Sequence, residues 1–559
     1  MIAEVYEPVV RSEQGHYFGA ALVGTHSVIL GWNVPHSKVP DQLMGFAVRR
    51  TDLDPTTGEV ERIDWLSGQK RFALTDADHG SEVRLDQAPL QRFRWSDYTV
   101  SAGRSYRYEV FPMVGAPDRL TRQTPLTFDL CPSQEMMDGV GIYANRGVTA
   151  AMAYLQRFQG KRPDEIPDGS AFHWLDRGLK GSLLEFIRKA RRDEQLHVCI
   201  YEFFDAQVAG ALKEAKQRGV RIQIVYHAKQ NQKATGENEE VLEHAHLKGV
   251  ATARKNTGNI SHNKFVIHLT AAGTPKRLWT ASANFSSNAF YFQTNIGLVF
   301  EANDICKVYE TYFQILLKDP KRGRKKAGQV FVQDEIDALH DKLAATPPGD
   351  ADRVLFSPVR NLHVIDTATE LIARAKSAIF LSAPFGVGGD IVNAISSNNA
   401  DILEYGLANS TAKRKIEGLR RRNTRFFTPS RLRSYMGRKW DAKAFGAHKI
   451  HAKSLVVDPW GDNPAVLIGS ANFSDGSCRM NDENTLLIEG DKRLAAVIAT
   501  EFLRMYDHYK IRFWINKMEE EGNSAPLFLD DSPSWSDIYY RKTQRSRKFR
   551  DREVFSGLR

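Results

Sequence analysis

One short pattern occurs twice in this chain, and it constrains the fold more than any other feature. Residues 261–269 read SHNKFVIHL and are followed by TASANFSSNAF at 280–290. Residues 450–458 read IHAKSLVVD and are followed by IGSANFSDG at 468–476. The first copy places His262 and Lys264 ahead of Ser282 and Asn284; the second places His451 and Lys453 ahead of Ser470 and Asn472. Histidine and asparagine are 22 residues apart in the first copy and 21 in the second, and the two histidines lie 189 residues apart. In each copy His and Lys stand two apart in an apolar strand pattern, so they point to one side. Such a chain is expected to hold two copies of one unit, each offering an imidazole, an ammonium and an amide.

The flanking patterns agree. LKGSLLEFIRKARR (179–192) has helical spacing, LHVCIYEFFD (196–205) reads as a buried strand, and AQVAGALKEAKQRG (206–219) reads as a helix stopped by glycine. VRIQIVYHA (220–228) is a further strand, so strands alternate with helices and predict α/β lobes with a largely parallel sheet. The second half repeats the plan with TATELIARAKSA (367–378) as helix and IFLSAPFG (379–386) as strand. The amphipathic helix KRLAAVIATEFLRMYDHY (492–509) takes the part of DICKVYETYFQILL (304–317). The boundaries expected are a first lobe at 170–317, a basic, proline-containing linker at 318–352, a second lobe at 353–515 and a basic tail at 516–559.

The N-terminal part differs. VILGWNVP (28–35), GFAVRR (45–50) and WSDYTVSAGRSYRYEVFPMVG (95–115) read as short strands between turns, with Tyr106, Tyr108 and Val110 on one face. Residues 18–130 resemble a fibronectin type III domain, through Trp32 in an early strand and the Gly103–Val110 stretch. The resemblance implies an all-β sandwich that binds a protein partner or acts as a spacer, with Tyr106 as the tyrosine of the corner between its strands E and F.

The duplicated pattern resembles the phospholipase D superfamily, whose signature is H-x-K-x-x-x-x-D followed by G-S-x-N. The second copy matches throughout: His451, Lys453, Asp458, Gly469, Ser470 and Asn472. The first keeps His262, Lys264, Ser282 and Asn284, but has Leu269 for the aspartate and Ala281 for the glycine. The resemblance covers roughly 170–515 and implies two α/β lobes related by a pseudo-two-fold axis, each giving half of one site. It also implies a polar residue about eleven positions after each asparagine. That is Glu483 in the second lobe; in the first, Gln293 and Asn295 both qualify.

The chemistry fits these residue types. Cleaving an anionic phosphodiester requires a neutral nucleophile, a proton donor for the leaving oxygen, and cations around the phosphate. Histidine can serve either of the first two roles near neutral pH. By the resemblance, His262 attacks to form a phosphohistidine and His451 protonates the leaving group. Lys264, Lys453, Asn284 and Asn472 would hold the phosphate oxygens, and Glu483 would set a histidine tautomer. Ser282, Ser470 and Asp458 would support the site, and the missing aspartate at 269 would alter packing more than chemistry. No metal and no cofactor is expected. His173, His197, His244, His246 and His268 suggest no partner and read as structural or exposed.

Charge narrows the substrate. The net charge is +10, but residues 405–450 alone carry +11, residues 318–326 carry +5 and residues 541–559 carry +6, leaving the remainder negative. Concentrated positive charge favours a polyanion. The run at 405–450 interleaves Tyr435, Trp440 and Phe445 with arginines and leads into His451, so Arg420, Arg421, Arg422 and Arg425 are candidates for contacting a phosphate backbone. A nuclease acting on DNA or RNA is the favoured reading; the alternative is a phospholipase D or phosphatidyl transferase on anionic phospholipid. Cys131, Cys199, Cys306 and Cys478 form no CxxC pair, which argues against a zinc site or a disulfide framework. Neither a Sec-type leader nor a membrane-length apolar run is visible, so a cytoplasmic location is expected.

Overall fold

The computed structural model describes residues 6–73, 82–147, 152–301, 304–323, 330–345, 354–398, 401–409, 424–427, 434–435, 438–439, 449–520, 528–541 and 547–558. The chain opens on an all-β sandwich. Its strands are β1 (Val9–Gln14), β2 (Tyr17–Val23), β3 (Val28–Asn33), β4 (Leu43–Leu53), β5 (Val60–Trp65), β6 (Arg94–Asp97), β7 (Ser105–Ala116), β8 (Arg119–Arg122) and β9 (Leu126–Leu130). One sheet runs β1-β2-β3-β6; the other runs β8-β7-β4-β5, with β9 also pairing with β7. Alternation along β7 buries Tyr106, Tyr108 and Val110 while Arg107 faces out. The Tyr106 hydroxyl accepts from the Ser101 amide at 3.0 Å and pins the turn between β6 and β7, the bond a tyrosine corner makes. Trp32 on β3 is fully buried at the centre of this core.

The first lobe contains β10 (Met136–Met137), β11 (Val140–Ala144), β12 (Gln195–Ile200), β13 (Arg221–His227), β14 (Ala251–Arg254), β15 (Lys264–Leu269), β16 (Pro275–Ala281), β17 (Gln293–Thr294) and β18 (Ile296–Glu301). Its helices include α1 (Leu179–Arg188), α2 (Ala206–Gln217), α3 (Lys233–His244) and α4 (Asp304–Leu317). A connecting helix α5 (Val332–Ala344) follows. The second lobe contains β19 (Val354–Ser357), β20 (Ala378–Ser382), β21 (Leu403–Leu407), β22 (Thr424–Phe427), β23 (Lys449–Ile450), β24 (Lys453–Val457), β25 (Ala465–Gly469) and β26 (Glu483–Glu489). Its helices include α6 (His363–Ala373), α7 (Gly389–Ser397), α8 (Asp475–Met480) and α9 (Lys492–Glu520).

From β11 onward in the first sheet and β19 onward in the second, the two sheets have the same order. The first runs β10-β11-β18-β16-β15-β12-β13-β14 and the second β19-β26-β25-β24-β20-β21-β22. The sheets are mixed, which corrects the expectation of largely parallel strands. Only β12-β13-β14 and β20-β21-β22 run parallel, and the other pairings in each sheet are antiparallel. The cause is local: a short turn at 270–274 joins β15 to β16, and so short a connection returns the chain antiparallel. β11 belongs to the first sheet, so that lobe draws on residues well before 170.

Helix α2 illustrates how the sequence sets its own limits. Asp205 caps it by accepting from the amides of Gln207 and Val208, and Gly219, at φ +89°, supplies the left-handed turn that ends it. Helices α1 and α2 cover the outer face of the first sheet, and α6 and α7 that of the second. The inner faces share one core. Phe265 and Ile267 of β15 and Phe380 and Val456 of the second sheet enclose α4 and α9, including Tyr309, Tyr312, Phe502 and Tyr506. Among the described residues the four cysteines form no disulfide, and Cys199, Cys306 and Cys478 are buried.

The segment expected to be a basic tail is built into the sandwich. A turn of 3-10 helix at Pro533–Tyr539 and the helix α10 (Lys548–Phe555) pack against β4 and β3 respectively. Trp535 packs against Phe46 and Phe93 and donates its indole N–H to the Leu43 carbonyl at 2.8 Å. Phe555 crosses Gly31 so closely that a Cβ there would lie 2.0 Å from its carbonyl oxygen. Arg550 and Arg552 are buried, paired with Asp401 and Asn33 respectively.

Candidate active site

The repeated residues converge where the two lobes meet. Lys264 opens β15 and Lys453 opens β24, each with its histidine two residues earlier; Ser282 and Ser470 follow β16 and β25. His262, Lys264, Asn284, His451, Lys453 and Glu483 are all buried, and the imidazole centroids are 6.4 Å apart. The site therefore brings together both His/Lys pairs, although 189 residues separate the two histidines in the chain.

Each histidine is held by the opposite lobe. The His262 amide donates to the Asp482 carbonyl at 2.8 Å, and Glu483, the next residue, sets Oε2 3.4 Å from His262 Nδ1. The His451 amide donates to the Thr294 carbonyl at 3.2 Å, and Asn295, the next residue, sets Oδ1 2.9 Å from His451 Nδ1. The first contact is an ion-pair distance rather than a closed hydrogen bond; the second is a hydrogen bond. An amide oxygen only accepts, so Nδ1 of His451 carries the proton and Nε2 is left to face the site. Between Gln293 and Asn295, the geometry selects Asn295. Gln293 pairs through its backbone with Lys449 on β23, and its Oε1 has no partner among the described residues.

Serine and acid neighbours fix these supports. Ser282 Oγ donates to Asn295 Oδ1 at 2.8 Å and accepts from the Ile296 amide. Ser470 Oγ accepts from the Asn484 amide at 3.0 Å. Glu483 Oε1 accepts from Ser477 Oγ at 2.6 Å and Asn481 Nδ2 at 2.7 Å, which leaves Oε2 for His262. Burial drives the electrostatics. It pushes both imidazoles well below the ordinary histidine range, aided by Lys264 and Lys453, and pushes both lysines down as well. Burial also raises Glu483, and the hydrogen bonds from Ser477 and Asn481, followed by the two lysines, hold that rise in check. Lys453 Nζ has no hydrogen-bond partner among the described residues, whereas Lys264 donates to the His262 carbonyl. A buried lysine nitrogen without a hydrogen-bond partner, beside a second lysine and two imidazoles, suits an anion.

The remaining expected residues divide. Asp458 lies outside the pocket. Its carboxylate accepts from the amides of Lys376, Ser377 and Ala378 and from Ser377 Oγ, tying β24 to the start of β20. In the first lobe Leu269 is buried instead, and Glu194 braces that edge by accepting from the Arg191 amide and pairing with His268 at 2.8 Å. His268 and His197 thus do have partners, contrary to expectation. His268 also meets Arg277, and His197 pairs with Glu310 at 2.8 Å. Arg420, Arg421 and Arg422 lie outside the described residues, as do Trp440 and Phe445. Arg425 is on β22, its guanidinium 5.8 Å from the Trp514 ring centroid.

Sequence reasoning missed several neighbours. Tyr201 sets its ring 5.2 Å from His262 and 5.4 Å from Lys264 Nζ. Phe385 does the same in the second lobe, 5.9 Å from His451 and 5.2 Å from Lys453 Nζ. Glu202 accepts from Asn284 Nδ2. Arg254, fully buried, forks onto Asp482 and reaches Asp319, clasping the lobes beside Glu483. None belongs to the repeated pattern, so no spacing marked them.

Residues 183–317 and 369–506 match the family model described as cardiolipin synthase, PLD-like domain. A comparison with the curated proteins finds no match. Among solved structures the chain is similar to the polyphosphate kinase of Porphyromonas gingivalis, with 13% identity and a TM-score of 0.37 over 57% of this chain and 46% of that one. The chain thus spans under half the length of that relative. It is similar to phosphatidylserine synthase of Haemophilus influenzae, with 13% identity and a TM-score of 0.41 over 62% of this chain and 92% of that one. It is also similar to Nuc, a phospholipase D family member of Salmonella typhimurium, with 19% identity and a TM-score of 0.21 over 26% of this chain and 91% of that one. The two matched stretches, residues 183–317 and 369–506, belong to the phospholipase D superfamily.

Proposed function

We propose that this protein is a phosphodiesterase that works without a metal, through a phosphohistidine, and that its substrate is DNA or RNA. The observation that carries this reading is the reciprocal support of His262 and His451 across one anion pocket. The two supports differ, and the difference assigns roles. Attack through Nε2 of a histidine leaves its ring cationic, and the Glu483 carboxylate at Nδ1 of His262 offsets that charge. A neutral amide at Nδ1 of His451 offers no such offset, so a protonated His451 gives up its proton readily.

In the first step His262 bonds to phosphorus while the ester oxygen leaves with a proton from His451. In the second, His451 takes a proton from water, the hydroxide displaces His262, and the phosphate ester is released. Lys264, Lys453, Asn284 and Asn472 stabilise the phosphoryl oxygens throughout. The nucleic-acid reading rests on the three basic runs of the sequence. The second reading, phosphatidyl transfer, is favoured by the description of the matching family model. The N-terminal sandwich would recruit a protein partner. Among the described residues no helix is long and apolar enough to cross a membrane.

The test is one matched assay in EDTA. Wild type, His262→Ala and His451→Ala are given labelled single- and double-stranded DNA, RNA, and phosphatidylglycerol vesicles. Cleavage of nucleic acid by wild type alone, with each variant at least about a thousand-fold slower, is the expected result. Headgroup release alone would overturn the nuclease reading, and full activity in either variant would overturn the paired-histidine site.

A further inference from the structure

The two walls of the pocket are chemically unlike. Ile200 on β12 pairs with Lys264, and Ser382 on β20 pairs with Ser454, the residue after Lys453. Ala383 therefore stands where Ile200 does, and Phe385 stands where Glu202 does. At equivalent places, then, the first lobe presents a carboxylate and the second a phenyl ring that is 50% exposed.

Glu202 sits at the rim. Its charge acts on Lys264 and Lys453 inside the pocket and meets Glu237 and Lys233 of α3 on the other side. Its backbone is fixed: its carbonyl accepts from the Phe285 amide at 2.9 Å, and the next amide, Phe203, donates to Asn238 at 2.8 Å. Glu483 has a task at His262, whereas Glu202 enters the scheme above only through its contact with Asn284. An anion placed beside a phosphate repels it, so its presence needs a compensating partner. Its carboxylate has about four acceptor positions, of which Asn284 Nδ2 takes one. The others suit a hydrogen-bond donor carried by the substrate.

A phosphodiester strand offers such a donor next to its phosphate only when the sugar is ribose. The exposed ring on the opposite wall suits a planar base. We infer that this site distinguishes ribose from deoxyribose strands, with Glu202 accepting from the 2′-hydroxyl beside the scissile phosphate and Phe385 stacking the base on its other side. The inference rests on the nuclease reading and makes it more specific.

The test uses the full chain and three single-stranded oligonucleotides of one sequence: all-ribose, all-deoxyribose and all-2′-O-methyl. The quantity is kcat/KM in EDTA. Wild type is expected to favour the ribose strand over the other two by roughly ten- to a hundred-fold, the worth of a hydrogen bond to a charged group. Glu202→Leu, which also loses the Asn284 contact, should slow both strands but remove the preference, bringing the ribose-to-deoxyribose ratio close to one. Glu202→Gln, which can still accept from Asn284, should shrink the ratio and keep the fold. A purely structural Glu202, one that only holds Asn284, would slow all strands alike and leave the ratio unchanged; that result overturns the inference. So does equal cleavage of ribose and deoxyribose strands by wild type. Cleavage of none of the three, with headgroup release from phosphatidylglycerol vesicles, removes the nuclease reading itself and this inference with it.

Discussion

Lys453 shows what a single side chain in this pocket costs and provides. Its ammonium is buried and unpartnered among the described residues, and burial with Lys264 nearby lowers its pKa well below the ordinary 10.5. At neutral pH the unfolded chain binds that proton more readily than the folded one, so the group opposes folding until the pH rises through its folded-state value towards 10.5. Lys453→Met is therefore expected to stabilise the fold near pH 7 by about 1 kcal/mol, read from urea denaturation, while slowing turnover by about a hundred-fold or more. The same variant tests the acid. His451 is held below the ordinary 6.5 by burial first and Lys453 second. As proposed general acid it must carry a proton, so kcat/KM falls as pH rises through that depressed value. Removing Lys453 should move this descending limb to higher pH. A limb that stays put would remove His451 from the acid role.

At the scale of elements, Asp458 separates a motif's structural letters from its chemical ones. It is the aspartate of the H-x-K-x-x-x-x-D signature, yet its carboxylate serves three amides at the start of β20 rather than the pocket. Asp458→Ala should cost roughly 2 kcal/mol of stability through the unsatisfied amides, while the folded fraction keeps kcat within a few-fold of wild type. Denaturation curves paired with active-site-normalised rates check both halves; a large loss of kcat in fully folded protein would return Asp458 to the chemistry. The motif residues were legible in the sequence because a repeat 189 residues apart marks positions independently of local propensity. Helix α2 was legible for a different reason, since its cap and its stop are both local. The mixed sheets were not, because alternating strands and helices do not reveal that β15 turns straight back into β16. Glu202, Phe385 and the Arg254–Asp482 clasp were hidden for the same kind of reason: each matters only through what the fold brings beside it.

Across the whole molecule, the C-terminal segment closes what the N-terminal segment begins. The sandwich core is completed by Trp535 and Tyr539, residues some 500 positions from the strands they cover. Phe555 in turn joins the core shared by the two lobes, beside Tyr405 and Trp460, and Arg94 of β6 lies 4.4 Å over its ring while pairing with Asp507 of α9. Positive charge in this segment is thus partly structural: Arg550 and Arg552 are spent on Asp401, Glu553 and Asn33 rather than displayed to a polyanion. Trp535→Ala should accordingly destabilise the sandwich by about 3–5 kcal/mol, the usual cost of removing a large buried aromatic. If sandwich and lobes unfold as one unit, the loss appears in the single transition of the whole chain and turnover falls with it. If they unfold separately, an early transition appears while the lobes keep their activity at lower temperature. Calorimetry of the variant alongside a thermal inactivation profile distinguishes the two. Retention of the wild-type transition in both measurements would mean that the segment rests on the sandwich without holding it together.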